Sequence, residues 1–253
     1  MTTAQKIIKY IATAFALFLV VTIISVILSI GYEILSSIGL IHTKDKNITA
    51  DFKVISNDIK EVSTLKIDLA CTNLDIRVGD NFKVETNNSK ITFEENNGSA
   101  KIKEENKNWM NNNSSSNLIV YIPESISNLY LELGAGNVHI DNITVTQEAK
   151  IDGGIGKNEL SSCEINNLKA DLGMGEFTFD GKITGKSKID SGVGEIKVNL
   201  IDKKENYTID ISKGIGTITL DGEKVEDNKK YENGDNFLEI NGGIGNINIE
   251  FEK

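Results

Sequence analysis

The sequence predicts an all-β fold, a single-stranded parallel β-helix (a β-solenoid with about 20 residues per coil), that follows one N-terminal transmembrane α-helix. Three observations predict it. A Gly-x-Gly phrase with an apolar middle residue recurs six times, alternating apolar residues flank each phrase, and a long apolar stretch without charges lies near the N-terminus.

The glycine phrases are spaced by 20, 19, 19, 22 and 29 residues. A repeat of this length is typical of one coil of a solenoid, in which each coil buries its apolar face only against its neighbours. Glycine reaches the positive-φ conformations that a sharp corner needs. We therefore predict that the glycines are structural corners: Gly134 and Gly136, Gly154 and Gly156, Gly173 and Gly175, Gly192 and Gly194, Gly214 and Gly216, and Gly243 and Gly245.

The apolar residues around each phrase alternate with polar ones, which predicts strands with one buried face. The alternation changes phase after the second glycine. It places four rows of apolar side chains inside: those three residues before the first glycine, those between the glycines, those four residues after the first glycine, and those six residues after it. On this pattern Val193 is buried, and Val193→Asp is expected to unfold the array. The row between the glycines holds Ala135, Ile155, Met174, Val193, Ile215 and Ile244.

The N-terminal part predicts a membrane anchor. Residues 10–32 form a stretch of 23 residues without a charge, which is long enough to cross a bilayer core. No Ala-x-Ala pattern follows it, so a retained helix is favoured over a cleaved signal peptide. Lys6 and Lys9 precede the stretch, whereas Glu33 is the first charge after it. The positive-inside tendency therefore places residues 1–9 in the cytoplasm and the rest outside the cell membrane.

The remaining chain divides into a stalk and one β-domain. Residues 33–49 are predicted to be a juxtamembrane stalk, and residues 50–253 the β-solenoid. Its first half, 50–123, is irregular: an alternation breaks phase at Ala70-Cys71-Thr72, and further strands are expected near residues 91–94, 100–104 and 117–122. Since the terminal repeats of solenoids are commonly atypical, we interpret 50–123 as a capping half and 124–253 as regular Gly-x-Gly coils.

The composition excludes some functions. The 37 acidic and 27 basic residues give a formal net charge of −10, so nucleic acid is not expected as a partner. Two cysteines, Cys71 and Cys163, do not make a disulfide scaffold, and two separate thiols are favoured over a bridge. The glycine phrases also lack the aspartate of calcium-binding glycine repeats and the spacing of phosphate-binding loops.

A column of acidic residues is the candidate surface feature. Glu132, Asp152, Asp171 and Asp190 stand two residues before the first glycine of their phrases, where Ser212 and Asn241 continue the series. Stacked coils would align them about 4.8 Å apart. A solvated face is the favoured interpretation and a cation-binding ladder the alternative. No catalytic residue, cofactor or metal site is predicted, because nothing distinguishes one acidic pair from another.

The segment 118–140, with Leu118-Ile119-Val120-Tyr121-Ile122-Pro123 and Gly134-Ala135-Gly136-Asn137-Val138, resembles the bacterial "putative adhesin" family of unknown function, and so do the phrases after it. The likeness covers roughly residues 67–251. The resemblance implies a right-handed parallel β-helix, often behind one membrane helix, in a family with members among cell-envelope stress genes. It brings no catalytic residues.

Together these observations predict a single-pass cell-membrane protein whose extracytoplasmic domain is a non-catalytic, adhesin-like binding or scaffolding module. Its partner would be an envelope protein or glycan, with a link to cell-envelope stress or signalling. Two alternatives stay open: an envelope glycan-cleaving enzyme that uses stacked carboxylates such as Asp171 and Asp190, and a regulatory domain that faces the cytoplasm.

Overall fold

A computed structural model describes residues 51–56, 61–105, 116–231 and 234–252. These residues form one sheet of 18 strands, and the helical structure among them is the 3-10 turn Lys204–Asn206. They all lie in the second of two units into which the chain divides, Ile48–Lys253. The predicted all-β class is therefore confirmed. The predicted membrane helix and stalk lie outside the described residues, and within them no helix is long and apolar enough to span a bilayer.

The strands follow one another closely along the chain. In order they are β1 (Lys53–Val54), β2 (Thr64–Leu69), β3 (Asn73–Val78), β4 (Lys83–Thr86), β5 (Ile91–Asn96), β6 (Ser99–Glu104), β7 (Asn117–Ile122), β8 (Ser125–Ala135), β9 (Val138–Asp141), β10 (Thr144–Asn166), β11 (Leu168–Thr184), β12 (Lys186–Leu200), β13 (Tyr207–Ile215), β14 (Ile218–Leu220), β15 (Glu223–Val225), β16 (Lys229–Tyr231), β17 (Asn236–Ile244) and β18 (Ile247–Phe251).

The central coils stack in parallel register, as the repeat predicts. Strands β10, β11 and β12 each run through a whole glycine phrase, and β11 pairs in parallel with β10 on one side and β12 on the other. Gly156 lies beside Gly175, and Gly175 beside Gly194. Equivalent residues of successive coils therefore lie directly above one another, because the coils differ little in length.

The last two coils stack in the reverse of their chain order. Strands β17 and β18 pair in parallel with β12 on one side and with β13 and β14 on the other. The final coil of the chain is therefore inserted between two earlier ones. The first coil is placed in the same way, since β2 and β3 lie between β6 and β7 on one side and β8 and β9 on the other.

Short antiparallel strands cover both outer coils. At the N-terminal end β5 pairs with β6, β4 with β7 and β1 with β4. At the C-terminal end β16 pairs with β13 and β15 with β14. Short reversed strands at the ends of a stack limit further parallel pairing of exposed backbone. The stack is thus capped at both ends, whereas the sequence pattern indicated only the N-terminal cap.

A buried carboxylate completes the N-terminal cap at the corner Ala70-Cys71-Thr72. Glu104 is 2% exposed, and its Oε2 accepts hydrogen bonds from the backbone N–H groups of Ala70 at 2.8 Å and Cys71 at 3.0 Å. The Oγ1 of Thr72 donates to the same oxygen at 3.1 Å, and Asn88 donates to Oε1 at 2.9 Å. The side chain supplies the acceptor that a further stacked corner would otherwise provide.

The core consists of apolar ladders that run along the stack. The row three residues before the first glycine and the rows four and six residues after it are buried, as predicted, with Asn158 as a polar member at 7% exposure. Each large aliphatic or aromatic side chain contributes about 1.5–3 kcal/mol by burial before conformational entropy is counted. The first row, in stacking order, is Leu131, Ile151, Ala170, Ile189, Ile240 and Ile211.

The row between the glycines faces outward, so the prediction that it is buried is wrong. Met174 is 43% exposed, Val193 39%, Ile244 52% and Ile215 68%. The side chains change face at the first glycine, before this row, and the residue between the glycines lies at the tip of the bend. The premise of the expected Val193→Asp unfolding therefore fails. We call this row the apolar ridge; in stacking order it is Ala135, Ile155, Met174, Val193, Ile244 and Ile215.

The second glycine of each phrase meets two steric demands. Gly194 has a φ of +147°, which L side chains rarely adopt. A Cβ at this position would lie 1.5 Å from the carbonyl oxygen of Gly175 in the coil below. The same approach recurs at Gly175, 1.8 Å from the oxygen of Gly156. Close stacking of the corners thus requires that this position carry no side chain.

Candidate binding face

The predicted acidic residues lie in one column on the strands that lead into the corners. Glu132 pairs with Asp152, Asp152 with Asp171, and Asp171 with Asp190. The next member is Asn241, and Ser212 follows it. Because the last two coils are reversed in the stack, Asn241 comes before Ser212 although it is later in the sequence. We call this the acidic column; with its N-terminal extension it comprises Asp68, Glu132, Asp152, Asp171 and Asp190.

Asp68 extends the column beyond the residues that the sequence singled out. It pairs with Glu132 on one side and with Lys103 on the other. The sequence contains a clue, because Asp68 stands two residues before Ala70, where the first coil changes phase. Without a glycine phrase to align it, the position was missed.

A second column of outward side chains lies two residues before the acidic one along each strand. Lysines dominate it through the centre of the stack, and two acidic residues end it. This basic column was missed by sequence reasoning, although counting back four residues from each first glycine finds most of it. In stacking order it is Lys101, Lys66, Tyr130, Lys150, Lys169, Lys188, Glu239 and Asp210. The two columns together are called the charged face.

Ion pairs join the two columns. The Nζ of Lys150 lies 2.8 Å from Asp152, and that of Lys188 lies 3.1 Å from Asp190 and 3.2 Å from Glu239. These hydrogen bonds raise the pKa of both lysines. All these side chains are well exposed, so each pair contributes little to stability. The charges are better described as a solvated, ordered pattern than as a structural network.

Lys169 pairs with a residue at the rim of the charged face. Its Nζ donates to Glu148 at 2.6 Å, and Tyr130 donates its hydroxyl hydrogen to the other oxygen of Glu148 at 3.4 Å. The hydrogen bond from Lys169 is the main cause of the lowered pKa of Glu148. This carboxylate therefore links two members of the basic column.

Three depressions of the charged face adjoin Glu132. The largest has a volume of about 460 Å³ and is lined by Asp68, Glu132 and Asp152 together with backbone near Gly134. A second, of about 240 Å³, is lined by Lys66, Tyr130, Lys150 and the same carboxylates of Glu132 and Asp152. A third, of about 270 Å³, includes Lys101 and Lys103. The N-terminal half of the charged face is therefore concave.

The chemistry of this half suits noncovalent binding. A lysine ammonium lies beside a carboxylate on β2, with Lys66 and Asp68, and on β10, with Lys150 and Asp152. Neighbouring strands of the stack are about 4.8 Å apart. Tyr130 adds an apolar ring with the Nζ of Lys66 5.7 Å from its centre. In the part of the chain that the structure describes, no group of three or more His, Cys, Asp or Glu residues is placed to hold a metal ion.

Both cysteines are free thiols in the described structure. Cys163 is 1% exposed, and burial raises its pKa to about 11. Burial is also the main cause of the raised pKa of Cys71, with the charge of Glu104 second. Thiols with raised pKa values are poor nucleophiles at neutral pH, so neither contributes reactivity to the charged face.

Comparison with known proteins places these features beside solved structures. No family model matches the chain, and no curated protein matches it. It is similar to a "putative cell adhesion protein" from Clostridium sporogenes, with 19% identity, a TM-score of 0.40, and coverage of 80% of this chain and 99% of that one. It is also similar to a "putative adhesin" from Bacteroides fragilis, with 10% identity, a TM-score of 0.36, and coverage of 80% and 97%. A "putative lipid binding protein" from Parabacteroides distasonis gives 14% identity, a TM-score of 0.35, and coverage of 80% and 96%.

Proposed function

We propose that the protein is an adhesin-like, non-catalytic binding or scaffolding module that uses the charged face of a β-solenoid to hold an envelope glycan or protein. The supporting observation is the register of the two columns, which sets donors and acceptors beside the concave region around Glu132 and Tyr130. A rigid repeating surface of this kind fits an extended ligand that presents repeated polar groups.

The proposal includes a single membrane helix at residues 10–32, with the β-domain outside the membrane. It rests on the 23 uncharged residues and on Lys6 and Lys9 before them. A link to cell-envelope stress or signalling rests on the family resemblance alone. Protease added to intact, wall-stripped cells is expected to digest the C-terminal domain. Protection of that domain would instead favour the cytoplasm-facing regulator.

Binding through the charged face can be tested with variants of its concave half. Purified full chain is incubated with isolated cell-wall glycan fragments and, separately, with cross-linked envelope proteins. We expect specific recovery of one class, and a loss of about tenfold in affinity for Glu132→Gln combined with Tyr130→Ala, because central contacts dominate binding. Glu159→Gln serves as the matched control, because Glu159 lies after the corner of β10 and outside the charged face.

Two results would contradict the proposal. The first is no specific recovery of either class, and the second is equal binding by the Glu132/Tyr130 variant and by wild type. The glycan-cleaving alternative predicts a different outcome, since Asp171 and Asp190 are neighbours in the acidic column. Release of reducing ends from wall polymer, abolished by Asp171→Asn, would favour that enzyme over a binding module.

A further inference from the structure

The apolar ridge is distinct from the other outward rows of the coils. The two outward rows on each side of the ridge hold polar, charged or tyrosine side chains in every glycine coil. The ridge alone is aliphatic or thioether in all six. The two outward rows after the corner are Asn137, Lys157, Glu176, Glu195, Asn246 and Thr217, and then His139, Glu159, Thr178, Lys197, Asn248 and Thr219.

The requirements of the fold do not account for this composition. The preference of strands for β-branched residues applies equally to the other outward rows, which hold Lys, Asp and Glu. Burial does not account for it either, since Ile244 is 52% and Ile215 is 68% exposed. Isolated exposed apolar residues are ordinary, but a contiguous series in register marks an interaction surface.

The dimensions of the ridge restrict its partner. Six rungs about 4.8 Å apart give a length of about 24 Å, and a glycine on each side keeps the ridge one side chain wide. A surface this narrow is too small for a stable dimer, which buries about 800 Å² per partner. A helix of about 16 residues has the same length. An apolar stripe on one partner segment therefore fits the ridge.

Charges beside the ridge define that segment further. The acidic column is the next outward row on one side, with Asp171 and Asp190 at the central rungs. On the other side the corresponding residues are Glu176 and Glu195, which share the single ammonium of Lys197 at 3.2 and 3.0 Å. Lys188 is likewise shared between Asp190 and Glu239. Carboxylates therefore outnumber the lysines that pair with them on both flanks.

We propose that the apolar ridge docks a cationic amphipathic segment of a partner protein, whose apolar stripe covers Met174, Val193, Ile244 and Ile215 while its Lys or Arg residues face the flanking carboxylates. A second copy of this chain would bring like charges together at a net charge of −10. An anionic lipid surface is disfavoured for the same reason. The four rungs that this segment covers are not among the residues that line the depressions around Glu132, and the inference goes beyond the proposed function.

The test uses the full chain in discs of uncharged phospholipid and a fluorescent 18-residue peptide of Leu and Lys with leucines at helical i, i+3, i+4 and i+7 spacing. We expect binding that weakens with added salt. The same peptide with Glu in place of Lys is expected not to bind. Val193→Thr with Ile244→Thr and Ile215→Thr removes three adjacent rungs and keeps β-branched residues, so affinity is expected to fall by about tenfold or more.

The matched control removes exposed apolar residues elsewhere, with Val54→Thr, Val78→Thr and Ile201→Thr, and is expected to bind as wild type does. If the triple ridge variant does not fold, Ile215→Thr alone is used, since its side chain is the most exposed. Unchanged binding by the ridge variant, or equal binding of the Glu peptide, would overturn the proposal. So would ridge-dependent self-association or ridge-dependent binding to vesicles of anionic lipid. Tyr130→Ala changes the charged face but no carboxylate of the acidic column, so it is expected to leave peptide binding intact, which separates this test from that of the charged face.

Discussion

At the scale of single residues, the second glycine of each phrase carries the tightest constraint in the stack. Its φ near +147° alone disfavours any side chain, and the carbonyl oxygen of the coil below lies where a Cβ would be. Gly222 offers a useful contrast. Its φ is +78°, and an added Cβ would meet nothing within 4 Å.

Gly194→Ala is expected to destabilise the domain by about 3 kcal/mol or more, because backbone strain and a backbone clash act together. Gly222→Ala is expected to cost about 1 kcal/mol, because only the strained φ remains. Chemical denaturation of both variants measures the difference. Equal losses would show that the approach of stacked corners does not limit this position.

The pKa of the Cys163 thiol makes stability depend on pH. Burial raises it from 9.0 to about 11, so folding favours the protonated thiol. The contribution is therefore fully present below pH 9 and is lost as the pH rises through about 11. At pH 11 the free energy of unfolding is expected to be about 2 kcal/mol lower from this group alone. Cys163→Ala should remove that part of the slope, and a parallel pH profile for the variant would contradict it.

At the scale of the element, each winding is a strand, a glycine corner and a second strand, with two kinds of apolar row. Ile189 belongs to the inner kind, at 0% exposure, whereas Val193 belongs to the ridge at 39%. They are only four positions apart in the sequence. Both rows consist of apolar residues, and the corner between them places one row in the core and the other at the surface.

Ile189→Asp is expected to unfold the domain, because an unpaired carboxylate in the ladder costs several kcal/mol. Val193→Asp is expected to change stability by about 1 kcal/mol or less, as is usual for exposed positions. Thermal melts of the two variants give the comparison. Unfolding by both substitutions would restore the inward placement of the ridge that the alternation first predicted.

At the scale of the whole molecule, the reversed order of the coils makes the end of the chain internal to the stack. Strand β17 pairs on both sides, with β12 and with β13, and the outermost C-terminal layer is built from β15 and β16. The C-terminal residues therefore hold the outer coil to the rest of the array. If the coils were stacked in chain order, the C-terminal residues would form the outermost coil, and their loss would leave the other coils in contact.

Truncation at residue 234 is expected to destabilise the array well beyond the deleted strands. Loss of β17 and β18 separates β12 from β13 and leaves both with unpaired edges, so the melting temperature should fall by more than about 10 °C. Hydrogen exchange at β12 and β13 measures where protection is lost. A deletion of residues 252–253 is the control. Full protection of β13 after the longer truncation would show that it stacks directly on β12.

The sequence by itself determined the all-β class, the coil length and three of the four predicted buried rows, because a repeat near 20 residues predicts a solenoid coil and period-two alternation predicts strands with one buried face. It also indicated part of the charged face, since Glu132, Asp152, Asp171 and Asp190 occupy equivalent positions. Asp68 and the lysines of the basic column could be found only by aligning the first coil and the residues four positions before each first glycine in the same way.

The tertiary structure alone decided which coils are neighbours and which way the ridge faces. Coils with the same row pattern can extend the apolar ladders in any order, so the alternation of apolar residues does not predict the stacking order. The 29-residue spacing before Gly243 shows only that this coil is longer, with room for β15 and β16. The direction of the ridge depends on where the chain bends within Gly-x-Gly. The apolar residue between the glycines fits either position of the bend, because apolar side chains occur both in the core and at the surface.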